Sequence, residues 1–144
     1  MVIYADTSFL FSLYGSDSNS PRAKSWAVEA EIPVRFLELT LFELENALRF
    51  AASRGFIPSS QSDGSLLRIK DAIDGKRLVL TVCNYANVVE RARHLSATHT
   101  PTGSHRSFDI LHVAMALELE AEQFLTFDGN QRELAEAEGL IVPL

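Results

Sequence analysis

Short apolar runs alternate with longer amphipathic segments along the whole chain. Each run is only a few residues long and nearly continuous, which is typical of strands that are buried on both faces of a parallel sheet. The segments between the runs carry apolar residues at helical spacing, with polar residues on the opposite side. The pattern predicts four strands at residues 2–5, 34–37, 78–81 and 123–126, and helices at 20–30, 40–54, 60–74, 85–97, 108–121 and 131–138.

Turn-forming residues support several of these boundaries. Ser20 and Pro21 are suited to the start of the first long helix, and Gly55 is suited to the end of the next one. Residues 98–104 contain Pro101 and Gly103 and are expected to form a loop inside the domain. Residues 141–142 are expected to add an edge strand.

The regular alternation of strands and helices predicts an α/β protein, a three-layer α/β/α sandwich with a central parallel sheet. The 144 residues are enough for one domain with a substantial core, and we expect residues 1–144 to form it. There is no internal repeat, low-complexity tract or linker.

Composition narrows the class of protein. The chain is 47% hydrophobic and 22% charged, as soluble globular proteins are. No apolar stretch approaches the ~20 residues of a membrane span, and no basic flank precedes the first apolar run, so we expect neither a membrane segment nor a signal peptide. The one cysteine, Cys83, excludes an internal disulfide. A cytoplasmic location is the simplest expectation.

The net charge of −6 argues against a general nucleic-acid-binding protein, which usually presents a basic face. It does not exclude a nuclease, because cations bound at an acidic site invert the local charge.

Four acidic residues stand out because each lies where an apolar element meets a turn or the start of a helix. Asp6 and Asp128 follow predicted strands, and Glu43 and Asp109 lie near the starts of apolar helices. Ligands of open parallel sheets bind beyond the carboxyl ends of the strands, so all four are expected to face one crevice. Hard divalent cations prefer carboxylate oxygens, which predicts a Mg²⁺ or Mn²⁺ site that acts on a phosphodiester.

Each acid also has a purely structural interpretation. Glu43 fits a capping box with Thr40, and Asp109 can complement a helix dipole. Asp6 and Asp128 can each accept a hydrogen bond from the first turn of a following helix. Independent caps have no reason to converge on one sheet edge, which favours a shared site.

With these residues in place, the chain resembles the PIN-domain ribonucleases, particularly VapC-type toxins of toxin–antitoxin pairs. The matching motifs occur in order and span most of the chain: YADTS at 4–8, ELENAL at 43–48, FDILHVA at 108–114 and LTFD at 125–128. The resemblance implies a PIN-like α/β/α fold and Mg²⁺- or Mn²⁺-dependent endoribonuclease activity. It also implies structured RNA such as tRNA or rRNA as the substrate, a homodimer, and a cognate VapB-type antitoxin.

The same resemblance assigns the site residue by residue. It implies that the catalytic metal ligands are the four acids named above, Asp6, Glu43, Asp109 and Asp128. Ser8 and Thr126 correspond to the small hydroxyl residues that lie near the metal in that family.

Neighbouring residues have open roles. Asn46 is expected to orient an acidic neighbour. His112 lies one turn after Asp109 and either reaches a phosphate or carboxylate or is simply packed. Arg106 either contacts RNA phosphate or neutralises the acids. Glu45 is expected to be solvated, because residues two apart on a helix face different directions.

The aromatic residues at apolar helical positions are expected to belong to the core. These are Phe9, Phe11, Trp26, Phe42 and Phe50.

Two other classes of function compete. One is a non-catalytic PIN-like module that binds RNA or protein and retains the acids only as caps. The other is an aspartyl phosphatase, which would need a second acid two residues after Asp6, where this chain has Ser8.

Overall fold

The computed structural model describes all 144 residues and contains four strands and seven helices. In chain order they are β1 (Ile3–Ala5), α1 (Thr7–Tyr14), α2 (Ser20–Glu29), β2 (Val34–Phe36), α3 (Glu38–Ser53), α4 (Ser59–Asp74), β3 (Leu78–Leu80), α5 (Tyr85–Gly103), α6 (Ser107–Glu118), β4 (Gln123–Leu125) and α7 (Gly129–Ala137).

All strand pairs are parallel, and the strand order in the sheet is β3-β2-β1-β4. The two central strands are therefore β1 and β2, and β1 has β4 on its other side. Ala5 pairs with Leu125, so the chain leaves β1 and β4 at the same level of the sheet. This arrangement confirms the predicted parallel sheet and places the segments that follow β1 and β4 side by side.

The sheet separates two hydrophobic clusters, which confirms the three-layer α/β/α architecture. Because side chains alternate along a strand, Tyr4 faces one cluster and Ala5 the other. The Tyr4 cluster includes Val113 of α6 and Leu134 of α7. The Ala5 cluster is formed largely with α1, α3 and α4. Both layers hold the carboxyl edge of the sheet in a fixed position.

All four predicted strands are confirmed to within about a residue at each end. The expected edge strand at 141–142 is wrong as a strand, because Ile141 forms only an isolated bridge with Gln123. Gly55 adopts the left-handed conformation two residues after the end of α3, as predicted for a residue that ends a helix.

The expected loop at 98–104 is wrong: α5 continues to Gly103. Pro101 lies in the last turn of the helix, where its missing N–H removes only one hydrogen bond. The left-handed residue at this helix end is the one after the glycine. Ser104 takes the left-handed conformation there, and its N–H donates to the carbonyl of Thr100.

The predicted start of α3 is also wrong. The helix begins at Glu38, two residues before Thr40, so Thr40 is inside the helix and the capping box that was the structural alternative for Glu43 does not form. Thr40 is fully buried, and its hydroxyl contacts a tyrosine in the sheet instead of a backbone N–H. Glu43 is consequently in the second turn of α3 and its side chain is free to reach across to α6.

Two of the five aromatic residues expected in the core are instead exposed. Phe42 is 63% exposed and Phe50 is 57% exposed, whereas Phe9 is fully buried. Phe11 and Trp26 are partly buried. The apolar positions of α3 cover more of its circumference than its neighbours bury, so the side facing away from the sheet leaves two phenyl rings in solvent.

No helix of the fold is both long enough and apolar enough to cross a bilayer.

Candidate active site

Asp6 is the most enclosed of the four acids. It lies directly after β1, is fully buried, and caps α1 by accepting a hydrogen bond from the backbone N–H of Phe9 at 2.9 Å. The Ser8 hydroxyl donates to the same carboxylate at 2.8 Å, and the Thr126 hydroxyl donates to it at 2.6 Å. Asp6 is thus both a helix cap and the centre of a buried polar cluster.

Thr126 connects Asp6 to Asp128. Its hydroxyl oxygen accepts a hydrogen bond from the backbone N–H of Asp128 at 2.9 Å while its proton is directed at Asp6. Ser8 reinforces the connection, because its oxygen lies 3.2 Å from Thr126 and accepts the N–H of Phe127 at 2.9 Å. Hydrogen bonds of these two hydroxyl groups therefore connect the segment that follows β1 to the segment that follows β4.

Gln131 connects Asp128 to Asp109. Its backbone N–H donates to Asp128 at 2.9 Å, which makes Asp128 the cap of α7. Its side-chain amide donates to Asp109 at 3.2 Å. The remaining atom of that amide, Oε1, is buried and has no hydrogen-bond partner. A buried acceptor without a donor is costly, so this position favours a bound water or another donor beside the two carboxylates.

Glu43 belongs to a second cluster, centred on His112. The Nε2 atom of His112 lies 2.8 Å from Oε1 of Glu43, and the hydroxyl of Thr7 donates to the same oxygen. The Nδ1 atom of His112 lies 2.8 Å from the hydroxyl of Tyr4, which lies 3.0 Å from the hydroxyl of Thr40.

An ionised carboxylate only accepts hydrogen bonds, so Nε2 of His112 donates to Glu43. In the neutral imidazole Nδ1 then accepts from Tyr4, whose oxygen accepts in turn from Thr40. Glu43 is fixed by a chain of buried groups that begins in the sheet.

The environment moves the pKa values of these groups in different directions. Burial raises the pKa of the Asp6 carboxyl, and the opposing effects of His112 and the hydrogen bonds to Asp6 only partly offset it. Burial also raises the pKa of Glu43, but hydrogen bonds from His112 and Thr7 outweigh it and hold that pKa below its usual value. Burial raises the pKa of Tyr4 well above its usual value, which keeps the hydroxyl protonated.

The two clusters meet at His112. Its Nε2 atom lies 3.5 Å from the hydroxyl of Thr7, one residue after Asp6, and the imidazole lowers the pKa of the Asp6 carboxyl. The structure therefore brings Asp6, Asp109 and Asp128 into one hydrogen-bonded cluster and places Glu43 in the adjoining one. No set of three or more acidic, histidine or cysteine side chains is arranged to hold a single metal ion.

Three polar residues near the acids in the sequence have different surroundings in the structure. Arg106 forms an ion pair with Asp109 at 3.4 Å, and its side chain is 76% exposed. Asn46 is exposed and forms no hydrogen bond with an acidic group, so no contact in the structure supports its expected role of orienting one. Glu45 lies away from the other acids and pairs with Arg49 at 3.3 Å.

Ser107 and Arg106 precede the acid of α6 without capping it through a side chain. Asp109 is buried and lies in the first turn of that helix.

Three contributors were not assigned from the sequence. Tyr4 is one of them, although a tyrosine in an otherwise aliphatic buried strand requires a hydrogen-bond partner. Gln131 follows Asp128 at the spacing of a capping box, which is a recognisable signal at a helix start. Thr7 carries no such signal, because its contact with Glu43 depends on how α1 and α3 pack.

The donor set fits a divalent cation of the magnesium type. Mg²⁺ is usually held by one or two carboxylates and keeps several waters, so it does not require three converging side chains. The contacts above reach Oε1 of Glu43 and Oδ1 of Asp128, which leaves the second oxygen of each carboxylate without a protein donor. The unpartnered Oε1 of Gln131 offers an acceptor for a water at the same place.

Comparison with known proteins gives a consistent result. The PIN domain family matches residues 3–137. VapC20 from Mycobacterium tuberculosis, described as a toxin that cleaves the sarcin–ricin loop, has a similar structure with a TM-score of 0.69, 18% sequence identity and 96% of each chain covered. PAE2754 from Pyrobaculum aerophilum is similar with a TM-score of 0.64 and 18% identity, over 98% of this chain and 83% of that one.

No curated protein matches the chain. At 18% identity the two structures establish a shared fold, and the family match extends over nearly the whole sequence. The chain belongs to the PIN domain family.

Proposed function

We propose that this protein is a metal-dependent endoribonuclease that hydrolyses RNA phosphodiester bonds and acts as the toxin of a VapBC-type toxin–antitoxin system. The observation that carries the proposal is the hydrogen-bonded connection of Asp6, Asp128 and Asp109 through Thr126 and Gln131. Membership of the PIN family and the structural likeness to a VapC toxin support it.

Asp6, Glu43, Asp109 and Asp128 are the residues that would hold Mg²⁺ or Mn²⁺. When bound, the ion supplies Lewis-acid polarisation of a phosphate and lowers the pKa of a coordinated water. A cation would also offset the cost of burying Asp6, whose pKa is raised by desolvation in the protein alone.

The protein's own contribution is the fixed placement of its carboxylates. Thr126 and Ser8 hold Asp6 in one orientation, and His112 with Thr7 holds Glu43. Groups positioned in advance stabilise developing charge without reorganising during the reaction. Arg106 is exposed at the rim of the acidic cluster, where its guanidinium is available to a phosphate of the RNA.

For the substrate we propose structured RNA of the tRNA or rRNA class. The support is the resemblance to VapC-type toxins and the similarity in structure to VapC20, a toxin that cleaves the sarcin–ricin loop. The protein is expected to act in the cytoplasm, where such RNAs are present.

We also propose two protein partners, a second copy of the chain and a VapB-type antitoxin. Large apolar side chains are exposed on α3 and around the start of α5, which is unusual for a surface that remains in water. They are Phe42, Phe50, Val82, Tyr85 and Val89, with exposed fractions of 40 to 89%.

A rival function has a specific observation in its favour. Asp6 and Asp128 each cap a helix, so a non-catalytic binding module would retain them for stability alone. The Asp6→Asn variant separates the two functions, because asparagine keeps the shape and the hydrogen-bond acceptor for Phe9 but removes the charge.

The test measures cleavage of total tRNA and rRNA by purified protein with Mn²⁺, Mg²⁺ or EDTA. We expect cleavage by the parent with a divalent ion, none with EDTA, and none by Asp6→Asn. The matched control is Asp74→Asn, which removes an exposed carboxylate paired only with Lys70. Equal cleavage by the parent and Asp6→Asn would exclude the proposed site.

A further inference from the structure

A separate cavity lies at the end of the sheet opposite to the acids. It is bordered by Val34 and Leu78, the first residues of β2 and β3, whereas Asp6 follows the last residue of β1. Its volume is about 370 Å³. That is within the range of pockets that hold small molecules, which are mostly apolar with a few polar groups that fix the orientation of the ligand.

The walls of this cavity, which we call the amino-end cavity, combine a flat aromatic surface with small residues. Trp26 lies on one side with Ala27 and Ala30 of the same helix region. The indole of Trp26 and the ring of Phe9 pack in a T-shaped arrangement with 5.5 Å between ring centroids. This contact with a buried residue holds the indole in place. Alanines beside a fixed indole leave room for an apolar ring or a short acyl chain.

Polar groups at the amino-end cavity are mostly cationic or hydrogen-bond donors. Lys76, Arg77 and Tyr14 contribute to its lining. The Tyr14 pKa is raised by burial, and the positive charge of Arg77 acts on that hydroxyl in the opposite direction. Neither cation has a carboxylate partner, since the adjacent Asp74 pairs with Lys70 at 2.5 Å. The only acid in the lining is Glu31, which disfavours a ligand with several negative charges.

The backbone at Lys76 positions the two cationic residues of the cavity. Its φ is 58°, in the left-handed region that disfavours residues with a side chain. Glycine would fit this position without strain, and the glycine of this turn is instead at Gly75. This conformation ends α4: the N–H of Lys76 donates to the carbonyl of Ile73, and the N–H of Arg77 donates to the carbonyl of Ala72. The end of the helix therefore fixes the backbone of both cationic residues at the cavity.

We propose that the amino-end cavity binds a small amphipathic monoanion, an apolar ring or acyl group that carries one carboxylate. The apolar body lies against Trp26 and the alanines, and the carboxylate accepts hydrogen bonds from Arg77 and Tyr14 with Lys76 beside it. This binding site is independent of the acidic cluster and of the proposed nuclease activity.

Trp26 makes the proposal directly testable, because it is the only tryptophan and gives a single indole N–H resonance. Full-length ¹⁵N-labelled protein is titrated with 2-naphthoate, and with 2-naphthylmethanol as a neutral compound of the same shape. We expect a saturable shift of the indole signal with 2-naphthoate. The alcohol should bind about tenfold more weakly or worse, the effect of losing a charge-assisted hydrogen bond.

Substitutions then locate the anion. Arg77→Gln should weaken binding of 2-naphthoate about tenfold and leave the affinity for the alcohol unchanged, again the effect of one charge-assisted bond. The matched control is Arg54→Gln, another exposed arginine, at the end of α3, which should change neither affinity. Lys76→Gly should weaken binding while raising the melting temperature, since it relieves the left-handed strain.

Three results would overturn the proposal. They are the absence of a saturable shift at Trp26, equal affinity for the acid and the alcohol, and an equal loss of affinity in Arg77→Gln and Arg54→Gln. Ala30→Phe, which fills the cavity from its wall, should remove binding of both compounds. Persistent binding in that variant would place the ligand elsewhere and contradict the proposed site.

Discussion

The hydroxyl of Tyr4 lies 2.8 Å from Nδ1 of His112, a buried contact between residues 108 positions apart in the chain. It joins β1 to α6 through the middle of the molecule, and the other ring nitrogen of His112 is joined to Glu43. The orientation of an acid in the candidate site therefore depends on a hydroxyl at the centre of the sheet.

Removing that hydroxyl should affect both stability and cleavage. Tyr4→Phe leaves Nδ1 of a buried histidine without a partner, which should lower the free energy of unfolding by about 1–3 kcal/mol. Cleavage should fall as well, because His112 loses the hydrogen bond at Nδ1 that orients its ring toward Glu43. The measurements are urea denaturation and RNA cleavage. Tyr14→Phe is the control, a tyrosine outside the site, and should leave cleavage unchanged; a loss equal to that of Tyr4→Phe would contradict the role of the chain of hydrogen bonds.

Asp6→Asn should stabilise the metal-free protein at neutral pH. Burial raises the folded-state pKa of Asp6 above its unfolded value, so the stability linked to its protonated form is complete at low pH and is lost as pH rises through the folded pKa. The variant, which does not ionise, should melt at a higher temperature than the parent at about pH 8 in EDTA, and the difference should shrink toward about pH 4.

Divalent ions should reverse this order. Saturating Mn²⁺ stabilises only a protein that binds it, so the parent should gain melting temperature and Asp6→Asn should gain little. An equal gain in both proteins would show that Mn²⁺ binds elsewhere.

Gln131→Met tests the connection between Asp109 and Asp128. Methionine has a similar length and leaves the backbone N–H that donates to Asp128 in place, but it cannot donate to Asp109. Loss of a group that orients metal-binding carboxylates typically costs about 10–100-fold in activity or metal affinity. Cleavage rate and Mn²⁺ calorimetry measure it, with Gln61→Met on α4 as the matched control. Unchanged values in both variants would exclude a supporting role for Gln131.

Two phenylalanines should differ sharply in their effect on stability. Phe9→Ala empties a fully buried position and should cost about 3–5 kcal/mol of unfolding free energy. Phe42→Ala alters a side chain that is 63% exposed and should change the unfolding free energy by less than about 0.5 kcal/mol. Light scattering should show that Phe42→Ala weakens the proposed homodimer; a dimer of unchanged affinity would place its interface elsewhere.

Arg106→Gln should weaken RNA binding without unfolding the protein. Its side chain is 76% exposed, so stability should change by less than about 0.5 kcal/mol. Each phosphate contact on a single strand contributes about 0.7 to the slope of log affinity against log salt, and the slope should fall by that amount. Binding of an RNA oligonucleotide at several salt concentrations measures it, with Arg54→Gln as the control. An unchanged slope would leave Arg106 as a partner of Asp109 alone.

Much of the fold follows from the sequence, because apolar runs of strand length determine where the sheet forms. The positions of Asp6 and Asp128 follow from the same pattern, since both come after a strand and parallel strands end at one edge. The ends of the helices are harder to predict from the sequence. The start of α3 at Glu38 has no side-chain cap, and the end of α5 passes through Pro101 and Gly103, two residues that normally break helices.

The partners of each acid could not be predicted, because they depend on packing between distant segments. Nothing near Glu43 in the chain indicates that His112 and Thr7 would contact it. The exposure of Phe42 could not be predicted for a related reason. Apolar residues on α3 occupy more than one side, and only the three-dimensional arrangement shows which side is covered.

The pairing of Ala5 with Leu125 has a consequence for the kinds of change the chain can accept. Side chains of a strand alternate between faces, so a single inserted or deleted residue within β4 would turn Thr126 away from Asp6 and detach Asp128 from the cluster. The same change would exchange the faces of Phe124 and Leu125, which are fully buried in opposite hydrophobic layers, so it would disrupt the packing of β4 as well as the site. Length variation in this protein is therefore expected to be tolerated in its surface turns and excluded from the three-residue strands β1 and β4.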